Sequence, residues 1–140
     1  DRLYTVETYT GNILYWQLSA PGVIEANPKT LDGTYCLHGF AGQAIYDSMA
    51  VDVEGNLYIA TMLPEGNNPM SNGGISVVSP SGELLEYIEI KRPDGKFAPL
   101  PSNICFGGKD NKTAFITLGA SGALVKAQMK VAGLPLAFNA

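Results

Sequence analysis

Asp47-Ser48-Met49-Ala50-Val51-Asp52-Val53-Glu54-Gly55-Asn56-Leu57-Tyr58-Ile59-Ala60-Thr61 reads as two short strands joined by a tight turn. Met49 to Val51 is an apolar run, Glu54-Gly55-Asn56 has turn chemistry, and Leu57 to Thr61 is a second β-prone run. An acidic residue stands directly before the first of these strands. A carboxylate at the mouth of an inner strand can face a cavity while the strand behind it fills the core. Asp47 is therefore the first candidate for chemistry.

The pattern recurs along the chain. Leu3-Tyr4-Thr5-Val6, Leu57-Tyr58-Ile59-Ala60 and Thr113-Ala114-Phe115-Ile116 each follow a polar turn and precede a Gly-containing hairpin, at intervals of 54 and 56 residues. Residues 47–51 and 102–106 match as the strand before. A period somewhat above the roughly 50 residues of kelch repeats, built from short antiparallel strands, predicts propeller blades. The expectation is an all-β chain forming one partial β-propeller domain over 1–140, with blade repeats near 1–43, 44–98 and 99–140. About two and a half blades are present, where closure takes roughly 4–8.

Outward from this centre, residues 2–7 and 12–18 predict a hairpin. Residues 19–43 carry many Gly and Pro breakers and read mostly as loop, with a short edge strand over 33–37. Residues 64–74 (PEGNNPMSNGG) read as a surface loop that overhangs the mouth and shapes substrate choice. Residues 75–79 form a strand, and 83–90 alternate polar and apolar as a half-exposed outer strand should. After a loop over 91–101 come strands at 103–106, 114–118 and 123–129. No convincing amphipathic helix is present.

Composition excludes several functions. With 140 residues and 46% hydrophobic content the chain can bury a core of one domain's size. A net charge of -4 leaves no basic stripe for a phosphate backbone, so nucleic acid is not the expected partner. No apolar run approaches the roughly 20 residues of a membrane helix. The run over 131–138 is broken by Gly133 and Pro135. Cys36 and Cys105 can form one bridge at most, which points to a reducing, cytoplasmic compartment. The start at Asp1 leads us to expect a fragment whose N-terminal half lies elsewhere.

The stretches 47–60 (DSMAVDVEGNLYIA), 103–108 (NICFGG) and 3–11 (LYTVETYTG), with the closing Gly133-Leu134-Pro135-Leu136, resemble the gluconolactonase, regucalcin (senescence marker protein) and luciferin-regenerating enzyme family. The resemblance covers the C-terminal half of a family member. It implies a six-bladed propeller with one divalent cation, calcium foremost with zinc, magnesium or manganese as alternatives, at the top of the central tunnel. In that family the ligands are typically a Glu, an Asn and an Asp from different blades. Asp47 matches the Asp, implied to be both metal ligand and general base in lactone hydrolysis. The Glu and the Asn of a Pro-Asn-Gly motif have no counterpart in this chain. Asn103 does not replace that Asn, because its place in the blade repeat differs. The implied partners are a small lactone or ester substrate and the remaining half of the propeller. The same blade logic puts residues 47, 7–11, 64–74 and 119–122 around one tunnel mouth, with turns 54–56 and 107–112 at the opposite end.

Other residues have plainer readings. Asp52 is expected to cap the turn at Glu54-Gly55. His38 lies in a Gly-rich loop as a surface or satisfied histidine, and Cys105 between Ile104 and Phe106 as a buried, inert thiol. Ser48 and Ser102 lack a Gly-x-Ser-x-Gly context. Asn111-Lys112-Thr113 fits a turn better than a glycosylation site. Three functions remain open: a metal-dependent sugar-lactone hydrolase, an esterase or phosphotriesterase on the same fold, and a non-catalytic binding propeller.

Overall fold

The β-prone runs pair locally, because each is followed within a few residues by a turn rich in Gly, Asn or Asp. In the computed structural model, which describes residues 1–98 and 100–136 with residue 69 by backbone alone, this yields eleven strands and no helix. They are β1 (Arg2–Glu7), β2 (Asn12–Ala20), β3 (Val23–Glu25), β4 (Tyr35–Gly39), β5 (Ile45–Val51), β6 (Leu57–Glu65), β7 (Asn68–Val78), β8 (Leu84–Glu89), β9 (Pro101–Gly107), β10 (Thr113–Leu118) and β11 (Ala123–Gln128). Ala137 and Phe138, which end the apolar run beginning at Val131, lie outside the described residues.

The strands form three antiparallel sheets: β1 to β4, β5-β6-β7-β8 in sequence order, and β9-β10-β11. The chain is all-β, and its three successive antiparallel sheets form part of a propeller. The middle sheet is sandwiched. Leu57, Ile59 and Val78, with Tyr46 of β5, pack with Ile13 of the first sheet, whereas Tyr58, Ala60, Ile75 and Val77 pack with Ile104, Ala114 and Ile116 of the third. Every residue of β6 from Leu57 to Met62 is buried, and all but Thr61, whose hydroxyl donates to Ser76 Oγ, are apolar. Each buried Ile or Leu contributes about 1.5–3 kcal/mol of transfer free energy, so most of the stabilisation lies between sheets.

Two expectations change here. Residues 64–74 are not a loop. β6 and β7 form a long hairpin in which Glu65 pairs with Asn68 across Gly66-Asn67, and Gly66 takes a φ of 58°. The irregularity at Pro64 lets the strand pass a residue that cannot donate to the ladder. Gly73 is buried because a Cβ there would lie 2.0 Å from the Ala98 carbonyl oxygen and 2.7 Å from the Pro101 ring. The second change concerns residues 19–43, which hold a strand at Val23–Glu25 as well as β4.

Candidate functional site

β5 and β9 are the first strands of their sheets and lie side by side. β5 begins with an irregularity. Tyr46 pairs with Thr61 and Met49 with Ile59, so Asp47 and Ser48 together oppose Ala60 alone. Such a β-bulge re-aims side chains and bends the strand end. It leaves Asp47 exposed while Tyr46, one residue earlier, is fully buried. Among the described residues the Asp47 carboxylate makes no hydrogen bond or ion pair.

Ser48 faces β9. Its Oγ donates to Asn103 Oδ1 at 2.5 Å, and the Ile104 amide donates to the same Oδ1 at 2.8 Å and to Ser48 Oγ at 3.3 Å. Asn103 is exposed and Ile104 buried, as alternation along β9 requires. The same alternation exposes Cys105, which corrects the expectation of a buried thiol. Both cysteines are free.

Residues 7–11 and 119–122 bond near the starts of these strands. The Tyr46 amide donates to Thr8 O at 3.2 Å, and Gly42 N to Thr10 O at 2.8 Å. Gly119 N donates to Leu100 O at 2.8 Å, just before β9. In the β1–β2 turn, Glu7 accepts from Thr10 Oγ1 at 2.7 Å and Asn12 Nδ2 at 2.9 Å. These two donors hold its carboxyl below the usual carboxylate range. Glu7 is thereby occupied as a turn residue.

The far end of β5 is closed. Asp52 is fully buried; its Oδ1 accepts the Glu54 and Asn56 amides at 2.9 Å each, and Oδ2 accepts Asn56 Nδ2 at 2.9 Å. Residues 131–134 lie across this end, with Val53 N on Ala132 O at 2.9 Å and Leu134 N on Val51 O at 2.8 Å. Asn111 Nδ2 donates to Gly133 O at 2.6 Å, so the sequon asparagine is a structural turn residue. Towards this end, Met49, Val51, Ile104, Phe106, Asn111 and Leu134 line a cavity of about 110 Å³.

His38 departs from its expected role. On β4 it is half-buried, with Nδ1 on Gly82 O at 2.7 Å, but Nε2 is buried without a partner among the described residues. Ser102 bonds Thr117 Oγ1 at 3.0 Å and is no nucleophile paired with a base. No group of three or more His, Cys, Asp or Glu among the described residues could hold a metal ion. No described helix is long and apolar enough to cross a membrane.

What the sequence did not reveal is the bulge and the Ser48–Asn103 pair it creates. A bulge has no composition signature, and the two residues are 55 positions apart. Comparison with protein families matches residues 1–120 to the family described as SMP-30/Gluconolactonase/LRE-like region. Comparison with curated proteins returned no match.

Proposed function

Because the chain belongs to the SMP-30/gluconolactonase/LRE-like family, we propose that it is part of a cytoplasmic hydrolase that opens sugar lactones at the mouth formed by the starts of β5 and β9. The observation that carries this reading is Asp47 itself. It is the one acidic side chain on β5 that is exposed and uncommitted, and a β-bulge aims it away from the core.

In this reading the Asp47 carboxylate accepts a proton from water as the water oxygen attacks the lactone carbonyl carbon. The tetrahedral oxyanion collapses, the ring C–O bond breaks, and Asp47 returns the proton to the departing alkoxide. The product is the open hydroxy acid. A divalent cation is implied by the family resemblance, but the described residues do not complete a site for one. Calcium takes about 6–8 oxygen ligands, and among the described residues no three His, Cys, Asp or Glu side chains gather around Asp47. We propose that Asp47 supplies one ligand and that the remaining half of the propeller supplies the others.

The test is hydrolysis of a panel of aldonolactones, aryl esters and phosphotriesters by the full-length protein, with and without calcium or zinc, beside Asp47→Ala. The expected result is lactone hydrolysis that requires metal and falls at least about 100-fold in the variant. Wild-type rates in Asp47→Ala, or hydrolysis of esters without lactones, would overturn the assignment.

A further inference from the structure

We infer that Asn103 is a substrate-binding residue at this mouth and that Ser48 is the residue that positions it. The inference rests on the lactone reading above and goes beyond it, by naming a recognition contact and the substrate class it selects.

The geometry fixes the Asn103 amide. Only an oxygen can accept the Ile104 backbone N–H, so the atom 2.8 Å from that nitrogen is Oδ1 and not Nδ2. The Ser48 hydroxyl fills the other lone pair of the same oxygen at 2.5 Å. Rotation of the amide would break the Ile104 bond and set the Nδ2 protons against that N–H. Nδ2 is therefore held in one orientation, and among the described residues no acceptor takes its protons. Asn103 is exposed at the start of an inner strand, and Ser48 adjoins Asp47 in the bulge.

A locked neutral donor on β9 thus stands one residue contact away, through Ser48, from the strand position that carries an uncommitted carboxylate acceptor. A hydroxyl group both donates and accepts, so neighbouring hydroxyls on a ring satisfy this pair together. A plain alkyl lactone would leave Nδ2 without a partner. The chemistry selects a polyhydroxylated lactone over a deoxygenated one of the same ring size. Ser48 has no contact with substrate in this scheme; it acts by keeping Nδ2 in place.

The test compares an aldonolactone with unsubstituted δ-valerolactone in the full-length protein, and measures binding of the corresponding non-hydrolysable aldonolactam by calorimetry. In Asn103→Ala the aldonolactone KM and lactam Kd are expected to rise about 3- to 10-fold, with the δ-valerolactone KM unchanged. Ser48→Ala should show the same split to a smaller degree, and Ser48→Thr, which restores a hydroxyl, should recover most of it. Circular dichroism and the thermal midpoint control for folding, since Asn103 is exposed. Equal losses on both lactones in folded Asn103→Ala, or no loss on either, overturn the inference. So does a wild-type protein that fails to bind the lactam. A wild type that binds the lactam through Asn103 but hydrolyses no lactone sinks the hydrolase reading and leaves the recognition contact standing.

Discussion

The two ends of β5 carry one aspartate each, and the two are treated in opposite ways. Asp52 is fully buried and spends its oxygens on two amides and one side-chain NH₂, all at 2.9 Å. Asp47 is exposed on a bulge and bonds to no described residue. A buried carboxylate is tolerated only when its lone pairs are filled, so Asp52 is part of the turn it caps. An aspartate left uncommitted at the mouth does nothing for the fold and is available to a ligand. The contrast separates a structural carboxylate from an uncommitted one within six residues.

The strongest way to break this contrast is to truncate both. Asp52→Ala leaves the Glu54 and Asn56 amides without their acceptor inside the protein, and is expected to cost about 2–4 kcal/mol. Asp47→Ala should change stability by no more than about 0.5 kcal/mol while removing hydrolysis. Urea midpoints and lactone turnover on both variants decide it. Similar stability losses would mean that Asp47 also holds the strand.

The next effect is alkaline. Burial, and after it the charge of Asp52, pushes the Tyr58 phenol from its ordinary 10.0 up to about 12. The folded state therefore keeps a proton that the unfolded chain gives up. Stability is complete below pH 10 and falls as pH rises through about 12. Absorbance titration of the tyrosines sharpens the comparison. Asp52→Asn should move the Tyr58 transition down, and Asp47→Asn should leave it in place.

A smaller loss is expected from Gly133→Ala, because a Cβ there would lie 2.2 Å from the Phe106 Cβ. Overpacking of this kind costs about 1–3 kcal/mol. Hydrogen exchange should quicken at the Val53 and Leu134 amides, which bond across the closed end, and not at the Tyr46 amide, which bonds Thr8 at the open one. Uniform quickening would show that the two ends are not independent.

Much of this was legible in the sequence, for identifiable reasons. The blade repeat, the outer strand over 83–90 and the capping role of Asp52 follow from turn chemistry and period-two alternation, which are local. Residues 64–74 were misread because Pro, Asn and Gly signal loops unless a neighbour accounts for them, and here Ala98 and Pro101 occupy the space that Cβ atoms at Gly73 would need. Cys105 was misread because flanking apolar residues suggest burial, whereas alternation along β9 puts it on the face of Asn103. The position of Asp47 could be read, but its freedom could not. That freedom comes from a pairing offset opposite Ala60, which is visible only once β6 is in register.

The smallest expected effect lies at the open end and has the opposite sign. Tyr46 is fully buried beside Phe40, with ring centroids 6.0 Å apart, and its hydroxyl has no partner among the described residues. Burial pushes its phenol well above the ordinary range, as an unpaired polar group in an apolar setting should. Tyr46→Phe keeps the ring and removes the unsatisfied oxygen, so it is expected to stabilise the protein by about 1 kcal/mol. Thermal and urea midpoints would detect this. A loss of similar size would mean that the hydroxyl has a partner, and the open end would then be as fully bonded as the closed one. A stabilised variant that loses lactone turnover would teach something else. It would make the unpartnered groups at the start of β5 a pair, Tyr46 supporting from the core what Asp47 does at the surface.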